Sequence, residues 1–238
     1  MSEKAKYLQV IDEKANIITD VSDKIWEYAE LSLMEFKSCE LYVKVLKEQG
    51  FNVECPVCGI DTAFKATYGS GKPVIGILAE YDALSGLSQE ANSTVRKELV
   101  RGGSGHGCGH NLLGAGAMAA AFAVKSYLEE GHEGTVIFYG CPGEEGGAAK
   151  AFMARERLFE ECDLALTWHP GSVNQVSSGT CNSCIQTEYK FTGVAAHAAG
   201  NPHMGRSALD AVELMNIGVQ FLREHMELTS RIHYAILD

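Results

Sequence analysis

The sequence predicts an α/β fold in which helices are layered against a largely parallel β-sheet. Two observations predict this fold. Segments with the periodicity of amphipathic helices alternate along the chain with short apolar segments typical of strands. The 238 residues are also 46% hydrophobic and only 21% charged, so a sizeable core can form and intrinsic disorder is excluded for most of the chain.

The first part of the chain is predicted to contain two helices followed by two strands. Apolar residues recur at helical spacing over residues 11–26, and residues 40–49 form a second helical segment that Gly50 stops. Residues 63–68 and 74–79 have the composition of strands, and a turn rich in glycine lies between them.

The middle of the chain continues the alternation of strands and helices, which predicts the parallel sheet. Residues 112–130 are predicted to form a helix with Asn111 as its N-cap. Residues 135–139 and 164–168 are short apolar strands, and residues 152–159 between them are helical.

A new pattern begins towards the end of the chain. Residues 185–191 alternate as a strand, a helix follows over about residues 207–224, and residues 232–237 are again strand-like. A β-α-β segment of this size has too little core to stand alone. We therefore expect a first domain over residues 1–184 and an incomplete second domain over residues 185–238.

The charge balance excludes several classes of function. Lys and Arg number 20 against 31 Asp and Glu, for a net charge of −11, so binding to nucleic acid or to an anionic membrane is not expected. The sequence shows neither a secretory signal nor an apolar run long enough to span a bilayer. We expect a cytoplasmic protein whose eight cysteines serve as thiols, metal ligands or nucleophiles.

Three predicted strands are each followed by residues that carry chemistry. The first is followed by Glu80-Tyr81-Asp82, the second by a Gly/Pro loop with Glu144-Glu145, and the third by His169-Pro170. Ligands of open α/β sheets bind outside the carboxyl ends of the strands. These loops are therefore expected to converge on one site.

A cluster of His and Cys residues among glycines precedes the long predicted helix, Gly105-His106-Gly107-Cys108-Gly109-His110. Thiolate and imidazole are typical zinc ligands, and a bent glycine-rich loop can bring Cys108 and His110 to one ion. The alternative is an ordinary glycine turn with a buried thiol. For a His-x-Cys-x-His pattern, a metal site is favoured.

The pair Glu144-Glu145 also has two interpretations. Adjacent glutamates most often form a solvated acidic pair. Between glycines at the end of an apolar strand, they can instead divide two roles, one binding metal and the other acting as general base. Taken alone, His169 and His197 would most often be packing residues. His169 becomes a candidate metal ligand only because other potential ligands follow the neighbouring strands.

Two Cys-x-x-Cys pairs lie outside this cluster. Cys55 with Cys58, and Cys181 with Cys184, could together form a zinc clip, although ordinary thiols are favoured. A redox dithiol is a weaker alternative, because neither pair opens a clear helix.

A cysteine hydrolase is a further alternative, with Cys108 as nucleophile and His106 or His110 as base. A histidine two residues from the thiol is poorly placed to act as its base. A metal site also accounts better for the glutamate pair.

Four motifs in this order resemble the M20 family of metallopeptidases and amidohydrolases, in the branch that uses Cys and His ligands. They are Gly105-His106-Gly107-Cys108-Gly109-His110-Asn111, Gly143-Glu144-Glu145, Trp168-His169-Pro170 and Gly193-Val194-Ala195-Ala196-His197-Ala198. The resemblance implies a layered α/β/α, zinc-peptidase-like catalytic domain and the start of an inserted α+β, ferredoxin-like lid and dimerisation domain.

The resemblance also implies a hydrolase with two divalent metal ions, zinc or manganese. Its implied metal ligands are Cys108, His110, Glu145 and His169. Glu144 is implied as the general base, and Asp82 as an aspartate beside the metal centre. His197 is implied as a lid histidine that reaches the site of a neighbouring subunit and stabilises the oxyanion.

The substrate implied by the family is an N-acyl amino acid, such as p-aminobenzoyl-glutamate, or a small dipeptide. The lid implies assembly into homo-oligomers or hetero-oligomers. Family members continue beyond the lid and return to the catalytic domain with a further histidine ligand, so the chain is expected to be truncated at its C-terminus. The alternative function is a non-catalytic subunit that serves binding or assembly.

Overall fold

A computed structural model describes residues 3–237 of the chain. The chain divides into two compact units between Val173 and Asn174. The sequence places its domain boundary later, after residue 184. The first unit contains all the β-strands that the structure describes.

Within the described residues, five strands form one sheet in the spatial order β1-β2-β4-β3-β5. The strands are β1 (Asn52–Glu54), β2 (Phe64–Ser70), β3 (Val74–Ala79), β4 (Gly134–Gly140) and β5 (Leu164–Leu166). The central strand β4 pairs antiparallel with β2 and parallel with β3. β1 lies antiparallel beside β2, and β5 lies parallel beside β3.

The sheet is mixed, because among the described strands β1, β3, β4 and β5 run in one direction and β2 runs against them; the predicted parallel arrangement is confirmed for β3, β4 and β5 and is wrong for β2. Parallel strands need a crossover connection, which is usually a helix. Helices separate β3, β4 and β5, and these strands are parallel. Only loops join β1, β2 and β3, and the turn after β2 reverses the chain, so β2 runs antiparallel to the parallel strands.

Helices flank the sheet in the described part of the first unit. They are α1 (Glu3–Glu13), α2 (Ala15–Tyr28), α3 (Phe36–Glu48), α4 (His110–Glu129) and α5 (Ala149–Arg155). The predicted helices of this unit are confirmed, although Lys14 divides the first of them between α1 and α2, and α3 begins and α5 ends before the predicted bounds. No helix among residues 3–237 is both long and apolar enough to cross a membrane. The cytoplasmic location stays a prediction.

The start of α4 differs from the sequence prediction, because Asn111 is not the N-cap. Gly109 takes that position at φ 83°, a left-handed conformation that glycine adopts without strain. Asn111 instead lies buried in the first turn, where its amide donates hydrogen bonds to the carbonyl and hydroxyl oxygens of Ser22. This contact ties the start of α4 to α2.

The two faces of β4 carry two separate apolar clusters. Val136 and Phe138 pack with side chains of α2, α3 and α4, whereas Ile137 and Tyr139 pack with α5. Successive residues of a strand point to opposite faces, so helices cover β4 on both sides. The layered helix–sheet–helix arrangement is therefore confirmed.

The second unit contains the helix α6 (Ala208–Leu222), which confirms the helix predicted over about residues 207–224. Ser207 is its N-cap, and the hydroxyl oxygen accepts a hydrogen bond from the Asp210 amide at 3.0 Å. Such a cap satisfies one of the free amides of the first turn.

The strands predicted over residues 185–191 and 232–237 are wrong, because both segments lie outside regular structure. A strand needs a neighbour for its backbone groups. The described part of this unit offers one isolated bridge, between Val194 and Arg206. Ile185 is accordingly 90% exposed. The described residues thus do not form the sheet of the implied ferredoxin-like lid.

Gly114 lies where α4 closely approaches the end of β3. A Cβ atom at this position would lie 2.7 Å from the carbonyl oxygen of Glu80 and would also clash with the hydroxyl of buried Tyr42. We expect Gly114→Ala to lower the free energy of unfolding by about 1–3 kcal/mol through overpacking, although alanine favours helix. Chemical denaturation measures the change.

A matched control for this substitution is Gly218→Ala in α6. Apart from the two neighbouring residues and the backbone of α6, no atom of residues 3–237 lies within 4 Å of a Cβ built at Gly218, so this variant is expected to be neutral or slightly stabilising. Equal destabilisation by the two substitutions would contradict the packing argument.

Candidate active site

The carboxyl ends of β3, β4 and β5 carry the candidate active site. These strands are parallel neighbours, so their ends meet at one edge of the sheet. Asp82 follows β3, the pair Glu144-Glu145 follows β4, and His169 follows β5. The glycine-rich segment before α4 brings Cys108 and His110 to the same edge.

His110 lies at the centre of the cluster and is fully buried. Its Nδ1 lies 2.9 Å from Asp82 Oδ1 and 3.1 Å from the Asp82 carbonyl oxygen. Both partners only accept hydrogen bonds, so Nδ1 carries a proton and donates it. Its Nε2 faces three carboxylates, with oxygens of Glu80, Glu144 and Glu145 at 3.0, 3.8 and 4.0 Å.

These carboxylates determine the charge of His110. Burial alone would lower the pKa of His110, but hydrogen bonds and negative charges from Asp82 and Glu80 outweigh it and raise the pKa to about 10. Without a cation, the cluster therefore holds a proton on Nε2. A metal ion at that position would supply the same positive charge.

Asp82 connects His110 to the loop after β4. Burial acts to raise the pKa of Asp82, but hydrogen bonds from His110, the Glu145 amide and Ser32 lower it overall. The Glu145 amide and the Ser32 hydroxyl both donate to Asp82 Oδ2, at 2.8 and 2.7 Å. The carboxylate is thereby held in the position that orients the imidazole ring.

Cys108 and His169 form the other side of the cluster. Cys108 Sγ lies 3.2 Å from His169 Nε2, and His169 Nδ1 donates a hydrogen bond to the carbonyl oxygen of Pro170 at 2.9 Å. Trp168 anchors this segment on α4, because its indole Nε1 donates to the Leu113 carbonyl oxygen at 3.0 Å. The free lone pair of His169 thus points toward the thiol.

The two adjacent glutamates differ in environment. The Glu144 side chain is 45% exposed and that of Glu145 is 19% exposed. Burial, and then the nearby charge of Glu80, raise the pKa of Glu144. A carboxylate with a raised pKa and access to solvent suits a general base, whereas the more enclosed Glu145 suits a ligand.

Glu80 lies among the residues that the sequence predicts at the site, but no role of its own was predicted for it. One oxygen faces His110, and the other forms an ion pair with Lys150 at the start of α5. Its position directly after β3, two residues before Asp82, was a signal that could have identified it. The partnership with Lys150 spans 70 residues and has no local sequence pattern.

The cluster has the properties of a site for divalent cations. Among the described residues, the buried atom Glu145 Oε1 lacks a hydrogen-bond partner, and Glu80 Oε2 and His110 Nε2 have none besides their own ion pair at 3.0 Å, which is unusual for buried polar atoms. The ligand atoms of Cys108, His110 and His169 lie within 4.8 Å of one another, as do those of Glu80, His110 and Glu144. Thiolate, imidazole and carboxylate donors suit zinc, and the carboxylates also suit manganese.

The structure disfavours the cysteine-hydrolase alternative. Burial and the neighbouring Glu145 raise the pKa of Cys108 to about 11, which is opposite to the activation of a cysteine nucleophile. His106 is turned toward α2, where its Nε2 donates to the Ile25 carbonyl oxygen at 3.0 Å. Neither Cys-x-x-Cys pair belongs to the clusters of potential metal ligands in the described residues.

His197 belongs to the second unit and is exposed. Its Nδ1 accepts hydrogen bonds from the amides of Ala199 and Gly200, at 3.2 and 2.9 Å. These bonds orient the ring on its own loop through Nδ1. The role of His197 in catalysis stays a prediction.

The loop between α2 and α3 braces the site, which the sequence did not reveal. Glu35 at the end of this loop is fully buried, and its carboxylate accepts hydrogen bonds from the Gly143 amide at 2.7 Å and the Thr62 hydroxyl at 3.1 Å. The loop also contacts the segment after β3, since the Ala83 amide donates to the Glu30 carbonyl oxygen at 2.8 Å. Glu35 therefore supports the turn that carries Glu144.

We expect Glu35→Ala to lower the free energy of unfolding by about 1–3 kcal/mol, because it leaves two buried donors without a partner. Urea denaturation measures this change. Glu40→Ala on the helix that follows, α3, is the control, since Glu40 is exposed and its loss is expected to change little. Equal stabilities of the two variants would contradict the brace.

The fold and the site together define an α/β protein with a cluster of potential metal ligands at its strand ends. The sequence model of peptidase family M20/M25/M40 matches residues 76–231, and the chain belongs to this family.

Comparisons with individual proteins agree with this family. The chain is 52% identical over 221 residues to a subunit of the p-aminobenzoyl-glutamate hydrolase of Escherichia coli, covering 92% of this chain and 46% of that protein. A putative aminohydrolase from methicillin-resistant Staphylococcus aureus has the same fold, with a TM-score of 0.63 at 20% identity over 96% of this chain and 59% of its own.

A second solved structure is a dinuclear metal-binding M20 peptidase from Bacillus subtilis. It matches with a TM-score of 0.54 at 23% identity, over 63% of this chain and 41% of that chain. The chain spans about half the length of the curated relatives it matches.

Proposed function

We propose that this chain carries the catalytic centre of a metal-dependent hydrolase that cleaves the amide bond of an N-acyl amino acid or small dipeptide. The observation that carries the proposal is the convergence of Cys108, His110 and His169 with a glutamate pair at one sheet edge. The similarity to a p-aminobenzoyl-glutamate hydrolase makes p-aminobenzoyl-glutamate the first substrate to test.

The metal ligands in this proposal are Cys108, His110, Glu145 and His169, and the ions are two divalent cations, zinc or manganese. When bound, such ions supply Lewis acidity that polarises the scissile carbonyl and activates water. Asp82 holds the His110 ring through Nδ1, so that Nε2 would be available to hold a metal ion.

Glu144 moves the proton in this mechanism. Its carboxylate takes a proton from the attacking water as the oxygen adds to the carbonyl carbon. It then gives that proton to the leaving nitrogen as the amide C–N bond breaks, so the products are a carboxylic acid and a free amine. The raised pKa of Glu144 brings it closer to the range that suits both transfers.

The oxyanion of the tetrahedral intermediate needs a donor, and we assign this role to His197 acting in the site of a neighbouring subunit. One such donor is worth about 3 kcal/mol of transition-state stabilisation. The role requires a homo-oligomer or a hetero-oligomer. The Escherichia coli relative is itself named as one subunit of its hydrolase, which is consistent with an assembly.

The test is release of p-aminobenzoate from p-aminobenzoyl-glutamate by the purified chain supplied with zinc or manganese. We expect hydrolysis that stops when a chelator removes the metal and returns when the metal is restored. N-acetyl amino acids and dipeptides tested in parallel define the acyl group. Absence of turnover on all these substrates, with metal bound, would instead favour a non-catalytic role in binding or assembly.

A further inference from the structure

Two thiols of the first unit lie in contact although they are distant in sequence. Cys39 on α3 and Cys55, directly after β1, have their Sγ atoms 3.6 Å apart, and a hydrogen bond joins them. Cys39 is only 5% exposed, whereas Cys55 is exposed. The pair therefore combines a buried thiol with a neighbour that a dissolved reagent can reach.

We propose that Cys39 and Cys55 are a site of disulfide formation by exchange with a low-molecular-weight disulfide, such as oxidised glutathione. The Cys55 thiolate attacks one sulfur of the reagent, which forms a mixed disulfide and releases one thiol. The Cys39 thiolate then attacks the Cys55 sulfur and displaces the second thiol. Two protein thiols are oxidised to one disulfide, and the reagent disulfide is reduced to two thiols.

The surroundings of the two thiols set the order of these steps. Cys55 meets the reagent first because Cys39 lies within the core cluster between α3 and the sheet. Burial also raises the pKa of the Cys39 thiol well above its usual range, so its attack is the slow step. The mixed disulfide on Cys55 is therefore expected to appear before the internal link.

The geometry selects Cys39 rather than Cys58 as the partner of Cys55. Cys58 is closer in sequence, but it packs with the cluster on the opposite face of the sheet, beside α5. Cys39 packs with the cluster beneath α2, α3 and α4. The Cys55-x-x-Cys58 spacing in the sequence is therefore not the pair that the fold brings together.

The Cys39–Cys55 disulfide would restrain α3 close to Glu35, the residue that supports the turn of the candidate site. The Cys39 amide donates to the Glu35 carbonyl oxygen at 2.9 Å, one turn from the carboxylate that holds Gly143. Joining α3 to the segment after β1 closes a short loop of chain, which limits the freedom of the unfolded state. Oxidation is therefore expected to raise the thermal unfolding midpoint by several degrees, and a reducing agent is expected to reverse the rise.

The experiment treats the folded, reduced chain with oxidised glutathione and maps the cysteines by mass spectrometry without reduction. We expect a peptide pair linked through Cys39 and Cys55, preceded by glutathione on Cys55. A link between Cys55 and Cys58, or no internal link after glutathione has reached Cys55, would overturn the proposal.

Three variants make this result specific. Cys39→Ala is expected to stop at the mixed disulfide on Cys55, and Cys55→Ser is expected to lose both products. Cys58→Ser is the matched control from the same loop, and it is expected to form the Cys39–Cys55 link at an unchanged rate. Loss of the link in Cys58→Ser, with Cys55 still modified, would contradict the assignment. These readouts do not depend on hydrolase activity, so they test the thiol pair separately from the proposed function.

Discussion

A His110→Ala variant is expected to bind zinc or manganese at least about 100-fold more weakly than the unchanged chain, because residues that merely orient a metal ligand already contribute 10- to 100-fold. His110 is fully buried at the centre of the cluster, and its Nε2 faces the carboxylates of Glu80, Glu144 and Glu145. Calorimetric titration of the metal-free chain with each metal measures the affinity.

Two further variants provide an intermediate case and a control for the His110→Ala measurement. Asp82→Asn keeps the ligand but weakens its orientation, so an intermediate loss of about 10- to 100-fold is expected. His132→Ala removes an exposed imidazole that stacks on Tyr127, and it is expected to leave metal binding unchanged. Equal affinities of His110→Ala and His132→Ala would show that the cluster is not the metal centre.

Glu144→Gln is expected to reduce the rate of amide hydrolysis by about 10²- to 10⁴-fold, the usual contribution of a general base. The substitution preserves size but removes the group that accepts the proton. Because Glu144 is not assigned as a ligand, the bound metal is expected to stay near the unchanged level. Single-turnover rates and metal content, measured on the same preparation, separate the two effects.

The neighbouring Glu145→Gln is the matched variant, since it changes the same chemical group one residue along the loop. It is expected to lose metal first and activity as a consequence. If Glu144→Gln lost the metal and Glu145→Gln retained it, the two roles would have to be exchanged.

Much of the fold could be predicted from local sequence patterns. The strand predicted over residues 74–79 coincides with β3, and the helix predicted over residues 112–130 corresponds to α4. The order of the strands could not be predicted in the same way, because β4 lies between β2 and β3 through contacts that are distant along the chain. The strands predicted in the second unit are wrong for a related reason, because an alternating sequence does not by itself provide a neighbouring strand to pair with.

The residues of the candidate site also differ in whether the local sequence reveals them. Cys108, His110, Glu144, Glu145 and His169 could be found because each lies in a short motif beside a strand end or helix start. Glu35 could not, because its partner Gly143 lies 108 residues away and nothing in the local sequence marks the contact. Residues that position a site are held by tertiary contacts, whereas residues that do its chemistry leave recognisable local patterns.

The metal content of the purified chain, beside that of a Cys108→Ala variant, tests the account most directly. We expect about two zinc or manganese ions per chain, with a clear loss in the variant, as in two-metal hydrolytic sites. A single ion lost in the variant would retain the metal centre but contradict the two-metal mechanism. No bound metal, or equal metal in both proteins, would contradict the central claim that the sheet edge is a metal centre.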